Sequence, residues 1–159
     1  MYIGKFENGQ KHDEKGIIQF PNGDQFCGGF KADKKCGEGK LTYINGDISQ
    51  GEYADDHFVK GILKYASGSI FDGEFKDDKP YAGRQLNPDG VLEYEVTWNG
   101  NIETRRKFKN GKKESEIDYK QGQIHGKCLE YFANGKVHID AEYREGKYHG
   151  KRLEYSEIG

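Results

Sequence analysis

The sequence predicts an all-β protein, an elongated and twisted antiparallel sheet of about seven β-hairpins. Turn signals recur along the whole chain with gaps of 23, 22, 22, 21, 24 and 24 residues, and such a regular period indicates repeated structural units. Apolar and polar residues alternate between the turns with the period of two that is typical of strands. No stretch of the sequence combines a 3.6-residue apolar period with helix caps. The repeated turns centre on Gly23 (PNG), Gly46 (ING), Gly68 (ASG), Gly90 (PDG), Gly111 (KNG), Gly135 (ANG) and Gly159 (EIG).

A second series of polar turns lies between the first ones, and each follows an aromatic residue. This series comprises Phe6 (ENG), Phe30 (KADK), Tyr53 (ADD), Phe75 (KDD), Trp98 (NG), Tyr119 (KQG) and Tyr143 (REG). Asn-Gly and Asp-Gly supply the positive φ angles that tight turns require. Each period therefore contains two short strands and two turns, which is one β-hairpin.

The composition predicts a thin core made of aromatic rings. Only 33% of the residues are hydrophobic, 33% are charged, and the mean hydropathy is −1.01, values that by themselves are typical of disorder. Aromatic residues nevertheless make up 13% of the chain, and 23 glycines stand against three prolines. Because rings drive burial, we expect a folded sheet stabilised by aromatic rather than aliphatic side chains.

The charge, the hydropathy and the cysteine content argue against a nucleic-acid-binding, membrane-spanning or secreted protein. The net charge of −2 gives no general attraction to nucleic acid. No run approaches the roughly 20 apolar residues of a membrane span, and the start of the chain lacks a signal peptide's apolar stretch. The three cysteines are odd in number and form no CxxC pair, a pattern that favours reduced thiols. We therefore expect a cytoplasmic protein.

The strand sequences resemble the MORN repeat, whose pattern is roughly aromatic-x-Gly-x-aromatic, a polar turn, and Gly-x-Leu-x-Tyr-x-x-Gly. The first strands of the opening repeats read YIGKF, FCGGF, SQGEY and FDGEF, and the second strands read GIIQFPNG, GKLTYING and GILKYASG. The resemblance covers essentially the whole chain. It implies an antiparallel sheet with one hairpin per repeat.

The glycine between two rings in each first strand suggests how the sheet is stabilised. In IFDGEFK, Gly73 stands between Phe71 and Phe75 on one strand face. Flanking rings can lean over a position that has no side chain and shield its backbone from water. We therefore expect one sheet face to carry rings over a row of glycines and the other face to be charged.

The fourth repeat departs from the pattern. Its second strand reads GRQLNPDG, with Asn87 and Pro88 near its end, and proline removes a hydrogen-bond donor from a sheet. We expect an irregularity or bend near residues 80–92.

The repeats that follow the irregularity have a different core pattern. Val96, Ile117 and Ala141 stand where the earlier repeats have glycine, and the last two repeats lengthen through HGKCLEYFANG and HGKRLEYSEIG. These resemble the variant MORN-like repeats of some bacterial antitoxin-like proteins. The predicted organisation is standard MORN repeats in residues 1–90 and variant MORN-like repeats in residues 91–159 that continue the same sheet.

Two groups of residues are candidates for binding. The first is the ring-lined face, a predicted protein-binding surface. Its members are Tyr2, Phe6, Phe26, Phe30, Tyr53, Phe71, Phe75, Tyr94, Trp98, Tyr119 and Tyr143. The second is the run RRKFKNGKK, with six basic residues among nine, which could attract an anionic partner although glutamates lie nearby. Its basic members are Arg105, Arg106, Lys107, Lys109, Lys112 and Lys113.

Other residue types give no pattern of catalysis or metal binding. His125 and His149 occupy equivalent places one hairpin apart, about 10 Å, which is too far for one zinc ion, and we expect them to be structural turn residues. Asp55-Asp56 and Asp77-Asp78 fit solvated turns, and Cys128 fits a packed strand position. The sequence has no P-loop and no recognisable catalytic triad, so we expect a non-enzymatic protein without cofactor or metal.

The leading functional hypothesis is a structural or scaffold protein that binds another protein within a larger assembly. Pairing of the open sheet edges could also join copies of this chain. The resemblance implies cytoskeletal or ciliary settings, since MORN proteins are common there. Two alternatives remain: a peripheral membrane module that binds anionic phospholipids through the basic run, and an antitoxin-like partner of a bacterial toxin.

Overall fold

The computed structural model describes residues 1–157 and confirms the all-β prediction. Sixteen strands occur in this range, and fourteen of them form one open antiparallel sheet in which neighbours follow the order of the chain. The other two strands form a small separate hairpin. The turn predicted at Gly159 lies outside the described residues. The part of the chain that is described has no helix long and apolar enough to cross a membrane.

The chain divides into two compact units, Met1–Tyr81 and Ala82–Gly159. The first unit contains β1 (Tyr2–Ile3), β2 (Phe6–Glu7), β3 (Gln10–Lys11), β4 (Asp13–Gln19), β5 (Gln25–Lys31), β6 (Lys34–Thr42), β7 (Ile48–Ala54), β8 (His57–Lys64) and β9 (Ile70–Lys76), and the boundary falls within β10 (Lys79–Leu86). The second unit contains β11 (Leu92–Asn99), β12 (Ile102–Lys109), β13 (Lys112–Lys120), β14 (Gln123–Tyr131), β15 (Val137–Arg144) and β16 (Lys147–Glu154).

Two kinds of turn connect the strands. One kind has two residues with positive φ, for example Asn110 at 52° followed by Gly111 at 73°, the geometry whose twist matches the flanking strands. The other kind is a five-residue loop in which the outer residues bond each other, as where the Phe20 amide donates to the Asp24 carbonyl at 2.9 Å. Asn and Asp tolerate the left-handed conformation better than most residues, which explains their abundance here.

A row of glycines crosses the first unit from β4 to β9. Each glycine lies directly opposite the next, because the register pairs equivalent positions of successive strands. The members of the row are Gly16, Gly28, Gly39, Gly51, Gly61 and Gly73. A Cβ on Gly39 would overlap the ring of Phe26, and a Cβ on Gly51 would come within 2.8 Å of the Gly61 Cα. From Gly16 to Gly61 the row therefore leaves no room for side chains.

Aromatic rings cover the glycine row and form the core of the first unit. Phe26 is fully buried, and its ring lies 4.9 Å from that of Tyr53 and 5.3 Å from that of Phe30. Phe71 and Phe75, which flank Gly73 in the chain, are also buried and meet edge to face at 5.3 Å. The contacts continue without a break through Phe6, Tyr2, Phe30, Phe26, Tyr53, Phe58, Phe75 and Phe71.

Aspartates in the short turns bind each hairpin to the preceding one. Asp33 accepts hydrogen bonds from the backbone amide and the ammonium group of Lys11, at 2.9 and 2.8 Å. Asp56 accepts from the Lys35 amide at 2.9 Å. Asp56 is a turn residue, as predicted, and its side chain also holds two repeats together.

The same arrangement recurs at the next short turn and at the five-residue loops. Asp78 is an exposed turn residue, as predicted, and it also accepts from the Phe58 amide at 2.8 Å. At the loops, Asp24 accepts from the Ile44 amide at 2.9 Å and Asp47 from the Ala66 amide at 2.8 Å. Because these bonds join residues about one repeat apart, they fix the spacing between hairpins.

From β11 onward, the second unit has side chains where the first has glycines. Its equivalent row runs through Gly83, Val96, Arg105, Ile117, Cys128, Ala141 and Arg152. Val96, Cys128 and Ala141 are buried, and burial raises the pKa of the Cys128 thiol. This confirms that Val96, Ile117 and Ala141 take the glycine position.

An irregularity lies where the sequence predicts one. The register of β10 against β11 shifts between Gln85 and Leu86, within the predicted range of residues 80–92. Similar shifts occur at other strand pairs, for example between Lys107 and Phe108. Such bulges locally bend a strand and increase its twist.

Candidate functional site

The predicted ring face differs between the two units in how much of it solvent can reach. In the first unit, Phe26, Phe30, Tyr53, Phe71 and Phe75 are all less than a tenth exposed. These five rings pack on one another and on the glycine row, so they form the core of the unit.

The remaining predicted ring residues of the first unit lie at its start. Phe6 is 62% exposed, and Tyr2 is half-buried between Phe6 and Phe30 with ring centroids 5.1 and 5.2 Å away. Within this unit, Phe6 is therefore the predicted face residue whose ring a partner could reach most easily.

In the second unit the predicted ring residues remain accessible. Trp98 is 37% exposed, and Tyr94, Tyr119 and Tyr143 are half-buried. Trp98 lies opposite Glu103, and Glu103 lies opposite Tyr119. The register thus places these three side chains next to one another on three adjacent strands.

Arg105 completes this group of side chains. Its guanidinium donates two hydrogen bonds to Glu103, at 2.7 and 2.9 Å, and lies 4.4 Å from the centre of the Tyr119 ring. The hydrogen bonds to Glu103 raise the pKa of Arg105. We call Trp98, Glu103, Arg105 and Tyr119 the tryptophan cluster. It presents an exposed indole beside an arginine that is held by both a carboxylate and a ring.

Tyr143 belongs to a related arrangement in the last hairpin. Its ring lies 4.5 Å from that of Tyr148, and the hydrogen bond with Tyr148 is the main cause that raises the pKa of Tyr143 to about 12. Arg152 lies 5.7 Å from the Tyr148 ring and pairs with Glu154 at 2.9 Å. Arginine, glutamate and tyrosine are thus grouped twice within the second unit.

The predicted basic patch is divided rather than continuous. Arg105 and Arg106 are adjacent in β12 and therefore point to opposite faces of the sheet. Arg106 pairs with Glu95 at 3.2 Å and with Glu116 at 3.1 Å. Lys113 also pairs with Glu116, at 2.7 Å, and the bonds from Lys113 and Arg106 lower the pKa of Glu116.

The other lysines of the basic run have no carboxylate partner in the part of the chain that is described. The Lys112 ammonium donates to the Ala133 carbonyl at 3.0 Å. Lys107 and Lys109 are exposed and make no ion pair within residues 1–157. The accessible positive charge of the run is therefore concentrated near the β12–β13 turn, not along the whole of Arg105 to Lys113.

His125 and His149 lie inside strands and not in turns as expected. Each begins an HGK triplet at a β-bulge, where the glycine has a φ of 100° or 93°. The bulges lie opposite Asp118 and Glu142, and the Lys127 amide donates to Asp118 at 3.2 Å. An acidic residue seven positions before each histidine is the sequence signal that could have revealed this pairing. Within residues 1–157, no group of three or more His, Cys, Asp and Glu side chains could hold a metal ion.

Comparison with known proteins agrees with the hairpin architecture. A family model of the MORN repeat matches residues 2–25, 26–48 and 118–137. No curated protein matches the chain significantly. MORN repeats are generally protein- or membrane-interaction modules, and proteins that contain them are typically non-enzymatic scaffolds. The match thus finds three MORN repeats in this chain, two consecutive ones in the first unit and a third in the second, consistent with a MORN-repeat protein.

Proposed function

We propose that this chain is a non-enzymatic scaffold that binds another protein within a larger assembly, through the tryptophan cluster of the second unit. The observation that carries the proposal is the contrast in exposure along the ring face. Five of the seven predicted rings of the first unit are buried in its core, whereas Trp98 is 37% exposed and Tyr119 is half-buried beside Arg105.

The residue types of the cluster suit a protein interface. Tryptophan, tyrosine and arginine are enriched among the residues that contribute most to binding. Glu103 and Tyr119 hold the Arg105 guanidinium in place before any partner arrives. Less side-chain entropy is therefore lost on binding, and a preorganised surface of this kind favours affinity.

The distribution of charge favours a protein partner over a lipid surface. Basic residues near an anionic membrane contribute about 1 kcal/mol each when they are free to face it. Arg105, Arg106 and Lys113 are instead paired with glutamates at 3.2 Å or less. The glutamates offset the positive field that a membrane module would use. The proposed setting is a cytoplasmic assembly, for example a cytoskeletal or ciliary one.

The proposal can be tested with one variant and a matched control. Trp98→Ala removes the exposed ring of the cluster, and Phe6→Ala removes another exposed ring from the first unit. Proteins captured from a lysate of the native source by the wild-type chain and by Phe6→Ala should be lost with Trp98→Ala. A partner so identified should then bind purified wild-type chain at least about tenfold more tightly than Trp98→Ala, as expected for an anchor residue.

Two results would contradict the proposal. One is an unchanged set of captured proteins with Trp98→Ala, provided that its circular dichroism spectrum and melting temperature match the wild type. The other is salt-sensitive co-sedimentation with vesicles of phosphatidylcholine and phosphatidylserine in the absence of any protein partner, which would assign the chain to membranes.

A further inference from the structure

The short turn between β12 and β13 is flanked by two positive charges. Lys109 and Lys112 lie directly opposite each other on either side of Asn110-Gly111. Like charges at directly opposed positions of a strand pair are destabilising. Such a pair persists at a cost in stability unless an anion lies between the two ammonium groups.

Other turns in the chain have similar basic pairs but also carry a carboxylate. Lys31 and Lys34 flank a turn that contains Asp33, and Lys34 pairs with Asp55 at 3.0 Å. Arg144 and Lys147 likewise flank a turn that contains Glu145. The Asn110-Gly111 turn is neutral. Its two flanking lysines therefore have no acidic residue within the turn itself, unlike those of the other turns.

A groove of about 370 Å³ lies beside this turn. Lys109, Lys112 and Lys113 line one part of it, and Tyr131, Phe132 and Ala133 line another. The Lys112 ammonium donates to the Ala133 carbonyl at 3.0 Å, a bond that joins the two parts.

The charge that remains available in the groove is positive. Lys113 is already paired with Glu116 at 2.7 Å, and its ammonium lies 5.6 Å from the Tyr131 ring. Glu114 also lines the groove, and its negative charge offsets part of the positive charge of the two remaining lysines. Lys109, which makes no ion pair within residues 1–157, is the cation most able to take an incoming carboxylate.

We propose that this groove binds an acidic segment of the partner protein. A carboxylate of that segment lies between Lys109 and Lys112, and an adjacent aromatic or apolar side chain packs against Tyr131 and Phe132. The inference rests on the proposed protein-binding function and adds a second surface to it. A peptide is favoured over a lipid headgroup because a phosphate would leave the aromatic wall of the groove unused.

The test uses a fluorescein-labelled peptide of repeated Glu-Glu-Phe and a matched peptide of repeated Gln-Gln-Phe, with fluorescence anisotropy as the readout. The full chain should bind the acidic peptide and lose affinity at least about fivefold between about 50 and 300 mM NaCl, since salt screens exposed charges. Lys109→Glu should weaken binding at least about tenfold, because it reverses the charge at the centre of the site. Lys79→Glu, which changes an exposed lysine beside the Asp77-Asp78 turn, should remain within about twofold of the wild type.

Several outcomes would overturn the inference. These are an affinity of Lys109→Glu equal to that of the wild type, equal binding of the glutamine peptide, and binding by the wild type to phosphatidylserine vesicles but not to the acidic peptide. Lys109→Gln provides a second variant if the charge reversal disturbs folding, which circular dichroism would reveal. Trp98→Ala should leave peptide binding unchanged, so that failure of the groove and failure of the tryptophan cluster are distinguishable.

Discussion

Phe26→Ala is the most direct test of how this sheet is stabilised. The Phe26 ring is fully buried, packs against Phe30 and Tyr53, and lies so close to Gly39 that a methyl group there would overlap it. Its removal exposes the backbone at Gly39 and breaks the continuous chain of rings. We therefore expect a large loss of stability from this single substitution.

The expected magnitude follows from the area that the ring buries. A fully buried phenylalanine removes at least about 150 Å² from water, which at about 25 cal/mol per Å² corresponds to roughly 4 kcal/mol. Truncation of a buried phenylalanine to alanine typically costs about 3 to 5 kcal/mol. Because a whole domain is stable by only about 5 to 15 kcal/mol, this loss is a substantial part of the total.

Urea denaturation followed by far-ultraviolet circular dichroism measures the effect. With a slope of about 1 to 3 kcal/mol per molar urea, the midpoint for the first unit should fall by at least about 1 M. Phe6→Ala is the matched control, because Phe6 is 62% exposed and surface substitutions usually change stability by about 0.5 kcal/mol or less. A Phe26→Ala chain within about 1 kcal/mol of the wild type would refute the view that rings over glycines form the core.

Three further predictions concern the first unit. Tyr53→Phe should lower the free energy of unfolding by about 1 to 3 kcal/mol because it removes the 2.6 Å hydrogen bond of the buried Ser49 hydroxyl. Adding Ser49→Ala to this variant should recover part of the lost stability. If urea denaturation shows that the effects of the two substitutions simply add, the hydrogen bond is not the cause. Asp78 raises the pKa of His57 through a 2.9 Å hydrogen bond. The contact therefore stabilises the fold fully below the ordinary histidine pKa of 6.5, down to the acid range where Asp78 is protonated. This stabilisation is lost as the pH rises through the raised pKa of His57. Asp78→Asn should therefore lower the His57 pKa in an NMR titration, and an unchanged value would show that the contact does not form. Gly39→Val should destabilise the unit by about 1 to 3 kcal/mol through overlap with the buried ring beside it, and a wild-type melting temperature would be incompatible with that overlap.

The repeat length, the turns and the pairing of rings with glycines could be read from the sequence because they are local. Asn-Gly and Asp-Gly turns fix where each strand ends, and alternation then fixes which side chains share a face. Gly73 between Phe71 and Phe75 was sufficient to predict rings over glycines, and the Phe26 ring beside Gly39 confirms the principle. The replacement of glycine by Val96, Ile117 and Ala141 was equally visible, since these residues keep the same place in the repeat.

The candidate binding sites depend on contacts between hairpins, whereas the repeat length and the turns depend on local sequence. The sequence placed Trp98 and Tyr119 on the ring face, but it did not show that Glu103 would lie between them and hold Arg105. It also treated the basic run as one patch. Adjacent strand residues point to opposite faces, and glutamates on neighbouring strands then pair with particular members of the run.

The sequence by itself determined that this protein is a succession of antiparallel hairpins with an aromatic side, because periodicity and turn chemistry act over a few residues. Only the tertiary structure decided which rings are buried, which aspartates join successive hairpins, and where basic side chains remain unpaired. Those properties depend on the register between strands that lie ten to twenty residues apart in the chain, where the local pattern allows several partners and packing selects one.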